Sequence, residues 1–184
     1  MIESVANILE QDELYFDYFK NALNFGTNYF ECEFVHGNSA VATLFYVKKS
    51  HCINAKEALV RLTIPFRYYQ GCFRQSESNN LESIFNIVKE DMRLDIYWGT
   101  EFKDVKIERL LNDLKIFQRD HKNKVKHFKL IGLNSFIESK YEILGFLEEF
   151  ENSKTIKLTE WNPSFEYFIE TENYFFLYNF STGA

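Results

Sequence analysis

The stretch Arg93-Leu94-Asp95-Ile96-Tyr97-Trp98-Gly99-Thr100-Glu101 sets the terms for the fold. Leu94, Ile96 and Trp98 alternate with Arg93, Asp95 and Tyr97, the period of a half-buried strand. Downstream, Ile107, Leu110, Leu111, Leu114 and Phe117 recur at helical spacing behind Asp104, an N-cap residue type. Val125 to Leu133 reads as a second strand. Ser135-x-x-Glu138 has the form of a capping box and predicts a helix running to about Phe150. Thr155 to Trp161 reads as a third strand. A β-α-β-α-β unit over about 93–161 is therefore expected, with neighbouring parallel strands and right-handed crossovers.

Outward from that unit the rhythm changes. Tyr29 to Val35 alternates, with Phe30, Cys32 and Phe34 on one face and Glu31 and Glu33 on the other. His36-Gly37-Asn38-Ser39 reads as a hairpin turn into a more buried strand, Ala40 to Val47. Leu59 to Ile64 alternates again, placing Arg61 and Thr63 outward, and Pro65 restricts any continuation as a central strand. At the other end, Phe165 to Glu170 and Tyr174 to Phe180 flank Thr171-Glu172-Asn173 as a second hairpin. Apolar residues from Ile2 to Leu23 are spaced for one or two helical pieces, and Leu81, Ile84, Phe85 and Val88 make a short helical face. The predicted class is α/β (mixed α+β). The expectation is a single mixed sheet with the central β-α-β-α-β unit, antiparallel hairpins at both ends, and helices packed on the sheet. No repeat or Pro/Gly/Ser linker divides the chain, so 1–184 reads as a single domain.

Phe and Tyr supply 31 of 184 residues, enough large rings to build a core without a disulfide or metal staple. The formal net charge is −6, which disfavours general nucleic-acid binding and favours a basic partner. The charge is uneven. Residues 1–60 hold 4 basic and 8 acidic side chains, 61–130 hold 14 and 10, and 131–184 hold 3 and 9. Cys32, Cys52 and Cys72 are odd in number and far apart, which argues against a secreted disulfide scaffold. With no basic, apolar leader and no apolar run of membrane-spanning length, a soluble cytoplasmic protein is expected.

Ligands in open α/β sheets sit beyond the carboxyl ends of parallel strands. Here that rim would hold Trp98, Thr100 and Glu101, then Asn134 and Ser135, then Trp161 and Asn162. Asp104, Asn134 and Ser135 serve equally well as helix caps. His127-Phe128-Lys129, with Asn134 five residues on, resembles the His-x-Lys-x4-Asp element of phospholipase-D-like phosphodiesterases. That likeness covers eight residues and has Asn134 in place of the family's Asp. It implies His127 as nucleophile and Lys129 as phosphate holder, with a dimer completing the site. Asp95 with Glu101-Phe102-Lys103 is similar to the carboxylate and lysine set that holds Mg²⁺ in many nucleases. Cys32, His36, His51, Cys52 and Cys72 are the only soft-ligand candidates, and they lack the paired spacing of a zinc site. No metal and no cofactor is expected.

The last hairpin concentrates Glu166, Tyr167, Glu170, Glu172, Tyr174 and Tyr178. Acidic side chains with tyrosines suit a basic protein partner, the charges steering encounter and the rings supplying contact area. The same charges suit an edge that resists aggregation. The reading is a small acidic protein-binding module, similar in composition to immunity proteins and antitoxins, without membrane association and compatible with a homo-oligomer. The alternative is a phosphodiesterase or metal-dependent nuclease using His127 and Lys129 or the Glu101 rim.

Overall fold

The structure, a computed structural model, describes residues 17–18, 26–36, 38–69, 86, 89–90, 124–131, 134–141, 149–150, 153–161 and 164–182. Alternation in the two terminal hairpins becomes strand. The strands are β1 (Thr27–His36), β2 (Asn38–Lys48), β3 (Lys124–Ile131), β4 (Asn134–Tyr141), β5 (Lys154–Trp161), β6 (Ser164–Glu170) and β7 (Tyr174–Thr182). A 3-10 turn, Lys49–His51, leads to helix α1 (Ala55–Tyr69). Among the described residues these strands form one sheet in the order β4-β3-β1-β2-β7-β6-β5. Every neighbouring pair is antiparallel. The chain is thus of mixed helix and strand content, as its pattern implied.

Both terminal hairpins form where expected. His36 pairs with Asn38 around Gly37. Thr171 closes the β6–β7 turn by donating its N–H to the Tyr174 carbonyl at 3.0 Å.

The expected parallel unit does not form over its described part. Asn134–Tyr141 is strand β4 rather than the start of a helix, and it pairs along its whole length with β3. The reason is local. Ile131 pairs with Asn134, so only Gly132 and Leu133 lie between the two strands. A two-residue connection joins antiparallel strands, and glycine in its first place favours it. β3 and β5 were expected side by side; β1, β2, β7 and β6 separate them, and they run in opposite directions. The expected strand at 93–98 and helix behind Asp104 lie outside the described residues. So do most of the N-terminal helical pieces, of which Asp17 and Tyr18 are helical, and most of the 81–90 face, where Asn86, Lys89 and Glu90 are helical.

The second correction is Leu59 to Ile64, which lies inside α1 and is not a strand. Residues 57–66 are buried without interruption, so no polar stripe marks the helical period. Arg61 and Thr63, expected outside, are buried among them. Asn54 caps the helix, its Oδ1 accepting the Glu57 N–H at 2.9 Å and its carbonyl accepting the first helical bond from Ala58 at 3.1 Å. Glu57 reaches back to accept the Ile53 N–H at 2.5 Å. Asn54-x-x-Glu57 is therefore the capping signature that operates as a cap among the described residues.

α1 lies against β1, β2 and β7. Cross-strand partners share a sheet face, so the pairing sorts residues into two sides. The α1 side carries Thr27, Thr43, Phe45, Val47, Phe168, Phe175 and Leu177, with Phe45 meeting Phe66 of α1 edge-on at 5.9 Å. The opposite side carries Leu44, Tyr46, Ile169, Tyr174, Phe176 and Tyr178, where Phe150 lies 4.6 Å from Phe176. Residues 43–47 and 175–178 are buried without a break, so the middle of the sheet is covered on both faces. Among the described residues no helix is long and apolar enough to cross a membrane.

Candidate functional site

Among the described residues, polar groups gather at the start of α1, at the β6–β7 turn and in one row of the α1 side of the sheet.

At the start of α1, Arg61 is 1% exposed and its guanidinium joins separate segments. Nη2 donates to the Gly26 carbonyl at 2.9 Å, and Nη1 donates to the His51 carbonyl and to Cys52 Sγ, the latter at 3.3 Å. Asn54 Nδ2 donates to the Tyr18 hydroxyl at 2.9 Å. Burial pushes the Cys52 thiol up to about 11, with the Glu57 carboxylate adding to the rise and Arg61 opposing it. A thiol held protonated at neutral pH is a poor nucleophile and a poor metal ligand. The cluster therefore joins separate segments of the chain. Alternation alone could not reveal it, because Arg61 resembled an outward strand residue. The detectable signal was Asn54-x-x-Glu57 ahead of an apolar run.

The β6–β7 turn is held from two sides. Glu149 Oε2 accepts from the Thr171 hydroxyl at 2.7 Å and from the Asn173 N–H at 3.2 Å, while Oε1 accepts from Asn173 Nδ2 at 3.0 Å. Lys49 donates its backbone N–H to the Asn173 carbonyl at 2.8 Å, and its ammonium meets Glu170 Oε1 at 2.6 Å. The same ammonium stands 5.2 Å from the centre of the Phe175 ring. Glu149 and Lys49 were invisible as turn partners in the sequence, since each lies more than twenty residues from the turn.

Pairing also sets Thr43, Asn179 and Glu166 side by side on three adjacent strands on the α1 side. Within that row Glu166 is 8% exposed and accepts from Asn179 Nδ2 at 3.3 Å.

These placements divide the expected site residues. Glu166 is buried in the row, Glu170 is partly exposed and ion-paired, and Glu172 is exposed at the turn. Tyr174 lies on the opposite face, against Tyr46 at 5.9 Å and Phe176 at 5.7 Å. Trp98, Thr100 and Glu101 lie outside the described residues. Asn134 opens β4 and Trp161 ends β5, at opposite edges of the described sheet, so the structure does not bring these two together. His127 and Lys129 are both partly exposed and share one face of β3. In the register of β3 with β4, His127 pairs with Glu138 and Ile131 pairs with Asn134. Four strand positions separate His127 from Ile131, roughly 13 Å at the strand rise.

Cys32 and His36 lie on β1, and Cys72 lies outside the described residues. Among the described residues no three His, Cys, Asp or Glu side chains converge as a metal site. Comparison with protein families, curated proteins and solved structures finds no match to the chain.

Proposed function

We propose that the chain is an acidic protein-binding module that sequesters a basic protein partner, in the manner of immunity proteins and antitoxins. The observation that carries this reading is the β6–β7 turn. Glu172 is exposed at its tip while Thr171 and Asn173 beside it are clamped by Glu149, and Glu170 is set by Lys49. A charged tip already held in one geometry loses little conformational entropy on binding, which favours affinity. The net charge of −6, with 9 acidic against 3 basic side chains from residue 131 onward, supplies the field that steers a cationic partner.

The test begins with co-purification of the chain with basic proteins encoded beside its gene, followed by Kd measurement at two salt concentrations. Glu170→Lys with Glu172→Lys is expected to weaken binding at least tenfold and to flatten its salt dependence. Glu166 is left unchanged because reversing a buried, bonded carboxylate would damage the fold. Unchanged affinity and salt dependence in the double variant would show that the turn is not the contact surface.

The second reading, a phosphodiesterase or metal-dependent nuclease, draws its support from His127 and Lys129 sharing one partly exposed face. Its test is phosphodiester turnover with and without Mg²⁺ and Mn²⁺. Turnover must vanish in His127→Ala or Glu101→Ala for that reading to stand.

A further inference from the structure

Helix α1 contains Pro65 well inside its fifteen residues. Proline has no backbone N–H, so Pro65 brings no donor to the carbonyl four residues earlier, that of Arg61. The Thr27 hydroxyl donates to that same oxygen at 3.0 Å. One residue before Thr27, the Gly26 carbonyl accepts from Arg61 Nη2 at 2.9 Å. Two consecutive residues thus engage both the main chain and the side chain of Arg61. Gly26 has φ of 70°, the left-handed region that glycine enters without a Cβ clash, and this turns the chain into β1. Gly26, Thr27 and Arg61 are all buried, so each bond is made where water does not compete. Farther along the helix, the Thr63 hydroxyl donates to the Leu59 carbonyl four residues back at 2.8 Å.

We propose that this two-bond clasp makes the middle of α1 conditional on docking against the start of β1. The donor that Pro65 withholds from the helix is supplied by the sheet, so α1 and the first residues of β1 form and open as one unit. A disturbance at Gly26 or Thr27 is then transmitted directly to the centre of the helix, and a disturbance of the helix to the first strand.

A double-mutant cycle on the whole chain tests the coupling. Thr27→Val keeps the shape and removes the hydroxyl, and it is expected to lower the folding equilibrium constant roughly five- to tenfold. Pro65→Ala restores a helical N–H to the Arg61 carbonyl. In that background the same Thr27→Val change is expected to cost less than about twofold. Thr27→Ser, which keeps the donor, is expected to cost less than Thr27→Val in the native background. Amide exchange in Thr27→Val should accelerate together in α1 and at residues 28–30. Equal losses from Thr27→Val in both backgrounds would overturn the proposal. So would exchange that accelerates in β1 alone. If Thr27→Val does not fold, the Thr27→Val/Pro65→Ala double variant decides, because it must fold if the clasp acts through the Arg61 carbonyl, and its failure would overturn the reading.

Discussion

Replacing Glu149 with Ala removes the acceptor for three hydrogen bonds that hold the β6–β7 turn. The magnitude depends on where each bond sits. The Thr171 hydroxyl is buried and its bond goes to a charged acceptor, worth about 1.5 kcal/mol. The two bonds from Asn173 are exposed and fall at the low end, about 0.5 kcal/mol each. Thr171 keeps a second outlet, because its hydroxyl also lies 3.2 Å from the Tyr174 carbonyl, which limits the loss. The expected cost is about 2–3 kcal/mol, or a Tm drop of roughly 4–12 °C for a chain of this length. Urea denaturation followed by tryptophan or far-UV signals measures it, with an unchanged m-value confirming that stability alone moved. Glu149→Gln keeps one carbonyl acceptor but turns a donor toward donors, so it should fall between the native chain and Glu149→Ala. A loss below about 0.5 kcal/mol in Glu149→Ala would refute the clamp, since it would mean that water replaces the carboxylate at no cost.

The buried groups carry further expected outcomes. Arg61→Met keeps the aliphatic stem but removes the donors that hold the Gly26 and His51 carbonyls, and it should cost about 3–5 kcal/mol in urea denaturation. Phe176→Ala opens a cavity at a residue with 0% exposure that touches the rings of Tyr46, Phe150 and Tyr174; about 3–5 kcal/mol is expected by the same measurement. Cys52 has a folded pKa pushed up to about 11 from an ordinary 9.0. Its contribution to stability is present below pH 9 and is lost as pH rises toward 11, because only the unfolded chain ionises in that window. Stability measured from pH 8 to 11 should therefore fall more steeply in the native chain than in Cys52→Ser. Alkylation of Cys52 at pH 8 should likewise be much slower than that of an unburied thiol.

Strand alternation was legible in the first strand of the N-terminal hairpin and in the last hairpin, and it missed β4. Phe165 to Glu170 and Tyr174 to Phe180 became β6 and β7, and the turn between them was marked by Thr171-Glu172-Asn173. Of two capping signatures in the chain, only Ser135-x-x-Glu138 was read, as a helix start, and it does not cap one. Ser135-x-x-Glu138 lies in β4 because the two-residue connection containing Gly132 folds it back on β3, and ladder bonds outweigh a local cap. Asn54-x-x-Glu57 caps α1, but the run from Ala58 to Phe66 is buried on every side, so helical and strand periods looked alike.

By itself the sequence determined where the terminal hairpins turn, the extended segments that flank those turns, and the acidic net charge. Each of these depends on residues within a few positions of one another or on a simple sum. Tertiary structure alone decided that β1 pairs with a strand nearly a hundred residues away and that β2 pairs with β7. It also decided that Glu166 is buried while Glu172 is exposed, and that Arg61, Glu149 and Thr27 hold distant segments. Those outcomes turn on which apolar faces bury each other and on which buried polar groups then find partners, and both are settled by contacts between segments far apart in the chain.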